Sequence, residues 1–307
     1  MARRGKRGVV GQAVGMAAGL ALVLAACGPP ENSSPPMELA DDLDRSGPVR
    51  ELVFGLYTSD AATEMVKQFA PILAVLDSNL SEFLGEPVKT KLRVASTYEG
   101  GVDDLVSGRV DFARMGPASY VMAKELNESI RILAMESKKG SKIFQGVICV
   151  HQDSSIRDIG ELKGKEFAFG DSRSTIGRFL AQELLVENGI YASDLGGFDF
   201  LGRHDKVGMA VGRKKYAAGA LKESTFNKLV AAGEPIRAIV AFPNVTKPWI
   251  ARSGMSPELF EAIRLTLLGM TDADALKALK KDGFLPGFDE DYDAIRQAIE
   301  SSRSFDS

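Results

Sequence analysis

Ser174 and Thr175 are the residues best placed to do chemistry: two adjacent hydroxyls that follow the polar turn Gly170-Asp171-Ser172-Arg173. Before the turn, Phe167-Ala168-Phe169 has the apolarity of a short buried strand; after it, Ile176, Phe179, Leu180, Leu184 and Leu185 recur at helical spacing. The first turn of such a helix offers N–H groups with no intrahelical partner, at the positive end of the helix dipole. Hydroxyls beside those amides suit an oxyanion, and Ile176-Gly177 would let a ligand approach the backbone closely. Ser174 equally fits an ordinary N-cap. The second candidate is His204, in Gly202-Arg203-His204-Asp205, where an imidazole N–H can donate to anionic oxygen or the stretch can simply cap the helix that follows. The chain has two histidines, and the other, His151, ends an extended apolar segment.

These groups need a scaffold, and 307 residues with 45% apolar and 26% charged content suffice for two lobes with real cores. The net charge is −3; four of the 38 basic residues and none of the 41 acidic ones lie in residues 1–26, so the remainder carries −7. No broad basic face exists to neutralise nucleic-acid phosphates, so nucleic acid is excluded as a partner and any anion must be held locally.

Residues 1–26 read as a targeting segment: Arg3, Arg4, Lys6 and Arg7, then an apolar run from Val9 to Val23, then Leu24-Ala25-Ala26-Cys27. This resembles the signal of bacterial lipoproteins, whose lipobox ends in the cysteine that becomes lipid-modified; the competing reading is a transmembrane anchor, against which the shortness and Gly/Ala content of the run argue. Residues 27–49, rich in Pro, Ser, Asp and Glu, read as a flexible tether. Cys149, the remaining cysteine, makes no internal disulfide and fits a small buried hydrophobe in a strand. No metal-ligand spacing and no cofactor signature is present, so no cofactor is expected.

From Arg50 onward, strands alternate with helices, which predicts an α/β architecture with mostly parallel strands. The first strand, Glu51 to Leu56, ends in the loop Tyr57-Thr58-Ser59-Asp60; the helical pattern from Val66 to Leu84 contains Pro71, expected to break or restart it. Lys142 to His151 and Pro235 to Pro243 are extended apolar segments, read as two hinge strands joining lobe 1 (50–145 with 244–307) to lobe 2 (146–243). The helical patterns at 256–270, 272–281 and 292–302 are expected to pack back on lobe 1.

Four stretches then carry a resemblance: Val110-Asp111-Phe112-Ala113 with Gly116-Pro117-Ala118-Ser119-Tyr120; Phe167 to Asp171 with Ser174 to Gly177; Gly202 to Asp205; and Phe242-Pro243-Asn244-Val245-Thr246-Lys247-Pro248-Trp249. In this order the chain resembles the phosphate, phosphite and phosphonate-binding proteins of ABC importers, with the two-lobed type II periplasmic binding protein (Venus-flytrap) fold. The resemblance implies capture of a small phosphorus oxyanion between the lobes in the periplasm, as a monomer, and delivery to an ABC permease in the inner membrane. It implies Ser174 and Thr175 as the phosphoryl grip, His204 facing the same oxygens, and Tyr57, Thr58, Ser119 and Tyr98 or Tyr120 closing the pocket from lobe 1. Glu223 lies near a position that can hold a ligand amine in aminoalkylphosphonate binders, and fits a helix start as well. Arg114, Arg173 and Arg178 either add charge to the pocket or lie solvated on the surface. A sensory lipoprotein partnering a membrane kinase or cyclase would share this fold and pocket; an enzyme would need a catalytic set that the sequence does not present.

Overall fold

A computed structural model describes residues 48–58 and 62–307. The leader, Cys27 and the tether as far as residue 47 lie outside the described residues. Two sheets organise the rest. The first is six-stranded, in the order β11-β4-β10-β3-β1-β2, from β1 (Arg50–Tyr57), β2 (Val88–Ala95), β3 (Phe112–Arg114), β4 (Arg131–Ser137), β10 (Pro248–Ala251) and β11 (Gly283–Leu285). The second is five-stranded, in the order β7-β6-β8-β5-β9, from β5 (Ile143–His151), β6 (Glu166–Phe169), β7 (Gly197–Phe200), β8 (Ala218–Lys222) and β9 (Ile236–Val245).

Strand composition follows position. Central β1 buries Leu52, Phe54, Leu56 and Tyr57 and is nearly continuous in apolar residues, whereas edge strand β2 alternates Val88 and Thr90 inward with Lys89 and Lys91 outward. The pairing is mixed rather than mostly parallel. β1 runs parallel to β2 and β3, and β6 parallel to β7 and β8, but β10 lies antiparallel between β3 and β4, β11 antiparallel on β4, and β5 antiparallel to both β8 and β9. The reason is the double passage of the chain: it leaves the first sheet after β4, runs down β5, and returns through β9, so β10 enters the first sheet from the opposite end.

Pro71 does not break α1 (Ala62–Leu84). Its missing N–H deprives the carbonyl of Lys67, an exposed residue, while Phe69, Ile72, Leu76 and Leu80 stay buried on the first sheet. That stripe outweighs the cost of an internal proline, about 3 kcal/mol. The core it covers centres on Trp249, stacked 4.6 Å from Phe54 and edge-on to Phe284. α7 (Pro257–Leu268) and α8 (Ala273–Leu279) pack on α1, as expected of a return to the first sheet. α9 (Asp293–Arg303) does not follow them: it packs on α3 (Pro117–Leu126) and α4 (Leu180–Glu187), and Phe305 beyond it meets Phe169 and Phe198 of the second sheet. The C-terminal segment thus joins both layers and buries its apolar residues Ile295, Ala298 and Phe305 there.

Candidate oxyanion-binding site

β6 delivers the turn that the sequence singles out. Phe167, Ala168 and Phe169 are buried, and in the turn the Asp171 carboxylate accepts from the Arg173 N–H at 2.8 Å. Ser174, 2% exposed, is the N-cap: its Oγ accepts from the Gly177 N–H at 3.0 Å. The next five residues, Thr175–Phe179, form a π-helical turn, a wide form common at functional sites, before α4 continues as an ordinary helix. Ser174 is thus a cap and a cavity residue at once. Because its oxygen accepts the cap bond, its own proton remains to be donated.

Gly177 serves packing rather than ligand approach. A Cβ there would sit 2.8 Å from the Gly170 Cα, so strand and helix meet backbone to backbone at these two glycines.

The first sheet supplies the opposite wall through β1, α2 (Tyr98–Val106) and α3. The Tyr57 hydroxyl accepts from the Gly116 N–H at 2.5 Å and bonds to Ser119 Oγ at 2.9 Å, and its ring lies 4.1 Å from that of Tyr98. Burial pushes the Tyr57 phenol up to about 12, against the opposing pull of the Ser119 and Gly116 hydrogen bonds, so at neutral pH it is an uncharged donor. Across the cleft the Ala118 N–H donates to Thr175 Oγ1 at 2.9 Å. This bond ties the start of α3 to the π-helical turn directly.

Between these walls lies a cavity of about 20 Å³, lined by Tyr57, Tyr98, Ser174, Thr175, Ile176 and His204. Gly116 and Pro117 at the start of α3, with Phe144, Lys222, Asn244 and Lys247, complete it. His204 is the first residue of α5 (His204–Gly212) and is buried; the cap position belongs to Arg203, whose guanidinium pairs with Asp205 instead. Three helix starts therefore converge, each with the positive end of its dipole toward the cavity.

Asn244 was not singled out as a site residue from the sequence. It is 3% exposed, lies opposite Phe144 in the β5–β9 pairing, and neither its amide nitrogen nor its oxygen has a hydrogen-bond partner among the described residues. Such a buried amide costs about 1–3 kcal/mol unless something pairs with it. Its sequence signal was its place in the stretch Phe242 to Trp249, one of the four that carry the family resemblance.

Four expected site residues lie outside the cavity lining. Thr58 donates to the Ser96 carbonyl at 2.7 Å. Ser119 sits behind Tyr57 and touches the site through that hydroxyl. Gly177 is committed as described. Tyr120 turns away: its hydroxyl donates to Asp289 and its ring packs 4.7 Å from Tyr292. Of the arginines, Arg114 is bonded to buried Glu136, Arg173 pairs with Glu99 at 2.8 Å, and Arg178 donates to Gln182 and the Ser172 carbonyl. Cys149 is fully buried in β5, and burial pushes its thiol up to about 12, as befits an inert packing residue. Among the described residues no three His, Cys, Asp or Glu side chains cluster to hold a metal ion, and no helix is long and apolar enough to cross a membrane.

A family model described as "ABC transporter, phosphonate, periplasmic substrate-binding protein" matches residues 54–292. The phosphate-import protein PhnD of Mycolicibacterium smegmatis is 21% identical over 275 residues, 80% of this chain and 84% of that protein. PhnD1 from Prochlorococcus marinus, solved in complex with methylphosphonate, superposes with a TM-score of 0.73 at 19% identity, over 83% of this chain and 99% of the other. A binding-protein component of a phosphonate ABC transporter from Pseudomonas aeruginosa gives 0.72 at 17% identity, over 83% and 87%. These likenesses bear out the two-lobed type II periplasmic binding protein fold anticipated from the four motifs. With the match running from β1 to the threshold of α9, the chain belongs to the family of periplasmic substrate-binding proteins of phosphonate ABC importers.

Proposed function

We propose that this chain grips a tetrahedral phosphorus oxyanion (phosphate, phosphite or a small phosphonate) with Ser174, Thr175 and His204 from one lobe and with Tyr57, Tyr98, Asn244 and the start of α3 from the other. The observation that carries this reading is the convergence of three helix starts and two hydroxyls on one buried cavity that also holds the unpartnered Asn244 amide. An oxyanion oxygen replaces the Ala118–Thr175 bond, taking the N–H from one side and the Thr175 hydroxyl proton from the other. Ser174 donates while still capping, and the Asn244 amide donates to one oxygen and accepts from a protonated one.

The lobes of this proposal are 50–145 with 244–307, and 146–243, turning about β5 and β9. The ligand touches both and so favours the closed arrangement by its differential affinity for it. The importer's permease receives the ligand chemically unchanged. The protein works as a monomer held at the membrane by lipid on Cys27. Replacement Cys27→Ser is expected to abolish metabolic lipid labelling, and labelling equal to wild type would remove the anchor from the scheme. The test of the site itself is calorimetry with methylphosphonate, phosphate, phosphite and sulfate, followed by solution scattering with whichever binds. A smaller radius of gyration on binding is expected; an unchanged one would sink closure, and no heat with any phosphorus oxyanion would sink the function.

A further inference from the structure

The oxyanion cavity does not end at Lys222 and Lys247. Those two residues and Phe144 also line a second, larger cavity of about 230 Å³. Its walls come from both sheets: Arg114, Glu136 and Lys138 on one side, and Glu223 and Lys228 of α6 (Glu223–Ala231) on the other. Among the described residues its lining holds seven basic side chains and two carboxylates. For a chain whose net charge is −3, this is a local inversion of sign.

The floor shows how uneven the balance is. Glu136 is fully buried, and its two oxygens accept from Arg114 Nε at 2.7 Å and Nη2 at 3.1 Å. The same carboxylate has Lys281 Nζ at 3.3 Å and the Trp249 indole N–H at 3.4 Å. Burial alone would raise its titration point, yet the Arg114, Lys281 and Lys247 charges outweigh that and hold it at about 2. Arg114 and Lys281 thus share one carboxylate in the cleft between the sheets. Burying surplus positive charge is costly, and an anion entering beside it offsets that cost.

The geometry points to a second anion subsite continuous with the first: the ligand is a phosphonate or phosphate ester whose substituent carries another anionic group, a carboxylate or a second phosphoryl group. This inference rests on the oxyanion site proposed above. In it the phosphoryl group sits at Ser174 and Thr175, the linker passes Phe144, and the tail anion reaches the Arg114–Lys281 floor under Lys138 and Lys228.

Calorimetry with four probes tests it: methylphosphonate, phosphonoacetate, methylenediphosphonate and 2-aminoethylphosphonate. The two probes with anionic tails are expected to bind at least about tenfold tighter than methylphosphonate, a step of one extra charge-assisted contact. The aminoethyl probe should bind more weakly than methylphosphonate. The double variant Lys138→Gln/Lys228→Gln, at two exposed positions, should cost methylenediphosphonate about fivefold, with methylphosphonate unaltered. Ser174→Ala/Thr175→Val should weaken every probe. Measurable methylphosphonate binding with no gain from an anionic tail, or a preference for the amine, overturns the second subsite and leaves the oxyanion site standing. Tight methylenediphosphonate binding that survives Ser174→Ala/Thr175→Val overturns the continuity of the two. If none of the four binds while phosphate or phosphite does, the second subsite falls and the oxyanion site stands; if those two also fail, both readings fall.

Discussion

Two neighbouring regions of one cleft are built on different electrostatic plans. Around Ser174 and Thr175 the groups that face the cavity are hydroxyls, backbone amides, an imidazole and the Asn244 amide; the cations at its border, Lys222 and Lys247, are shared with the next cavity. Around Glu136 the groups are full charges, with Arg114 and Lys281 crowded on a single carboxylate. Fixed dipoles hold an anion by geometry, so they discriminate by the shape and protonation of the phosphoryl group and are little affected by salt. Full charges select by sign and are screened within about 8 Å at physiological ionic strength. The division suggests that one region recognises the head of the ligand and the other its tail.

The sharpest way to break this comparison is to remove the dipolar grip. Ser174→Ala with Thr175→Val is expected to cost roughly 3–6 kcal/mol of binding, taking about 1.5–3 for each hydrogen bond to a charged group. Stability should fall by about 2–4 kcal/mol, the worth of a lost N-cap together with the Ala118 N–H left without its acceptor. Calorimetry beside thermal unfolding separates the two. A large loss of stability with affinity intact would make Ser174 a cap and nothing more.

The charged region should fail in the opposite way. Glu136→Gln leaves Arg114 and Lys281 buried without their carboxylate, which is expected to cost about 3–5 kcal/mol of folding stability. Its pH dependence has a definite sign. The folded-state titration point, about 2, lies below the ordinary 4.5, so the stabilisation is complete above pH 4.5 and is lost as pH falls toward 2. Linkage gives about 3 kcal/mol for that interval. Denaturant unfolding of wild type and variant at pH 7, 4 and 2.5 should show the gap narrowing on acidification; equal stabilities at pH 7 would mean the cluster contributes no net energy.

The same contrast governs what could be read from the chain itself. The Phe167–Gly177 stretch was legible because its signals are local: an apolar triplet, a polar turn and a helical period all fall within about twenty residues. The cluster at Glu136 was not, since Arg114, Glu136 and Lys281 lie far apart in sequence and meet only because β3, β10 and β4 lie side by side and the segment after α8 folds over them. Tyr120 was misplaced for a related reason. It begins α3 near Tyr57, but the helix turns its side chain toward Tyr292 and Asp289, and no spacing rule fixes that direction before the packing of α9 is known. Gly177 reads as room for a ligand until Gly170 is seen against it. The antiparallel course of β10 was hidden in four residues of a Pro-flanked motif.

Asn244 offers the finest distinction between the regions, because there binding and folding should move in opposite directions. Its amide is buried with neither polar atom paired among the described residues, so the fold carries a desolvation cost of about 1–3 kcal/mol at this position. Asn244→Leu, similar in size, removes that cost and is expected to raise thermal stability. The same change deletes a donor and an acceptor from the oxyanion cavity and should weaken methylphosphonate binding by about 1–3 kcal/mol, roughly 5- to 150-fold. Stability gained at the expense of binding is the mark of a residue kept for its ligand. Were Asn244→Leu to destabilise the fold while leaving affinity unchanged, the amide would be a structural group and the dipolar grip would end at Ser174, Thr175 and His204.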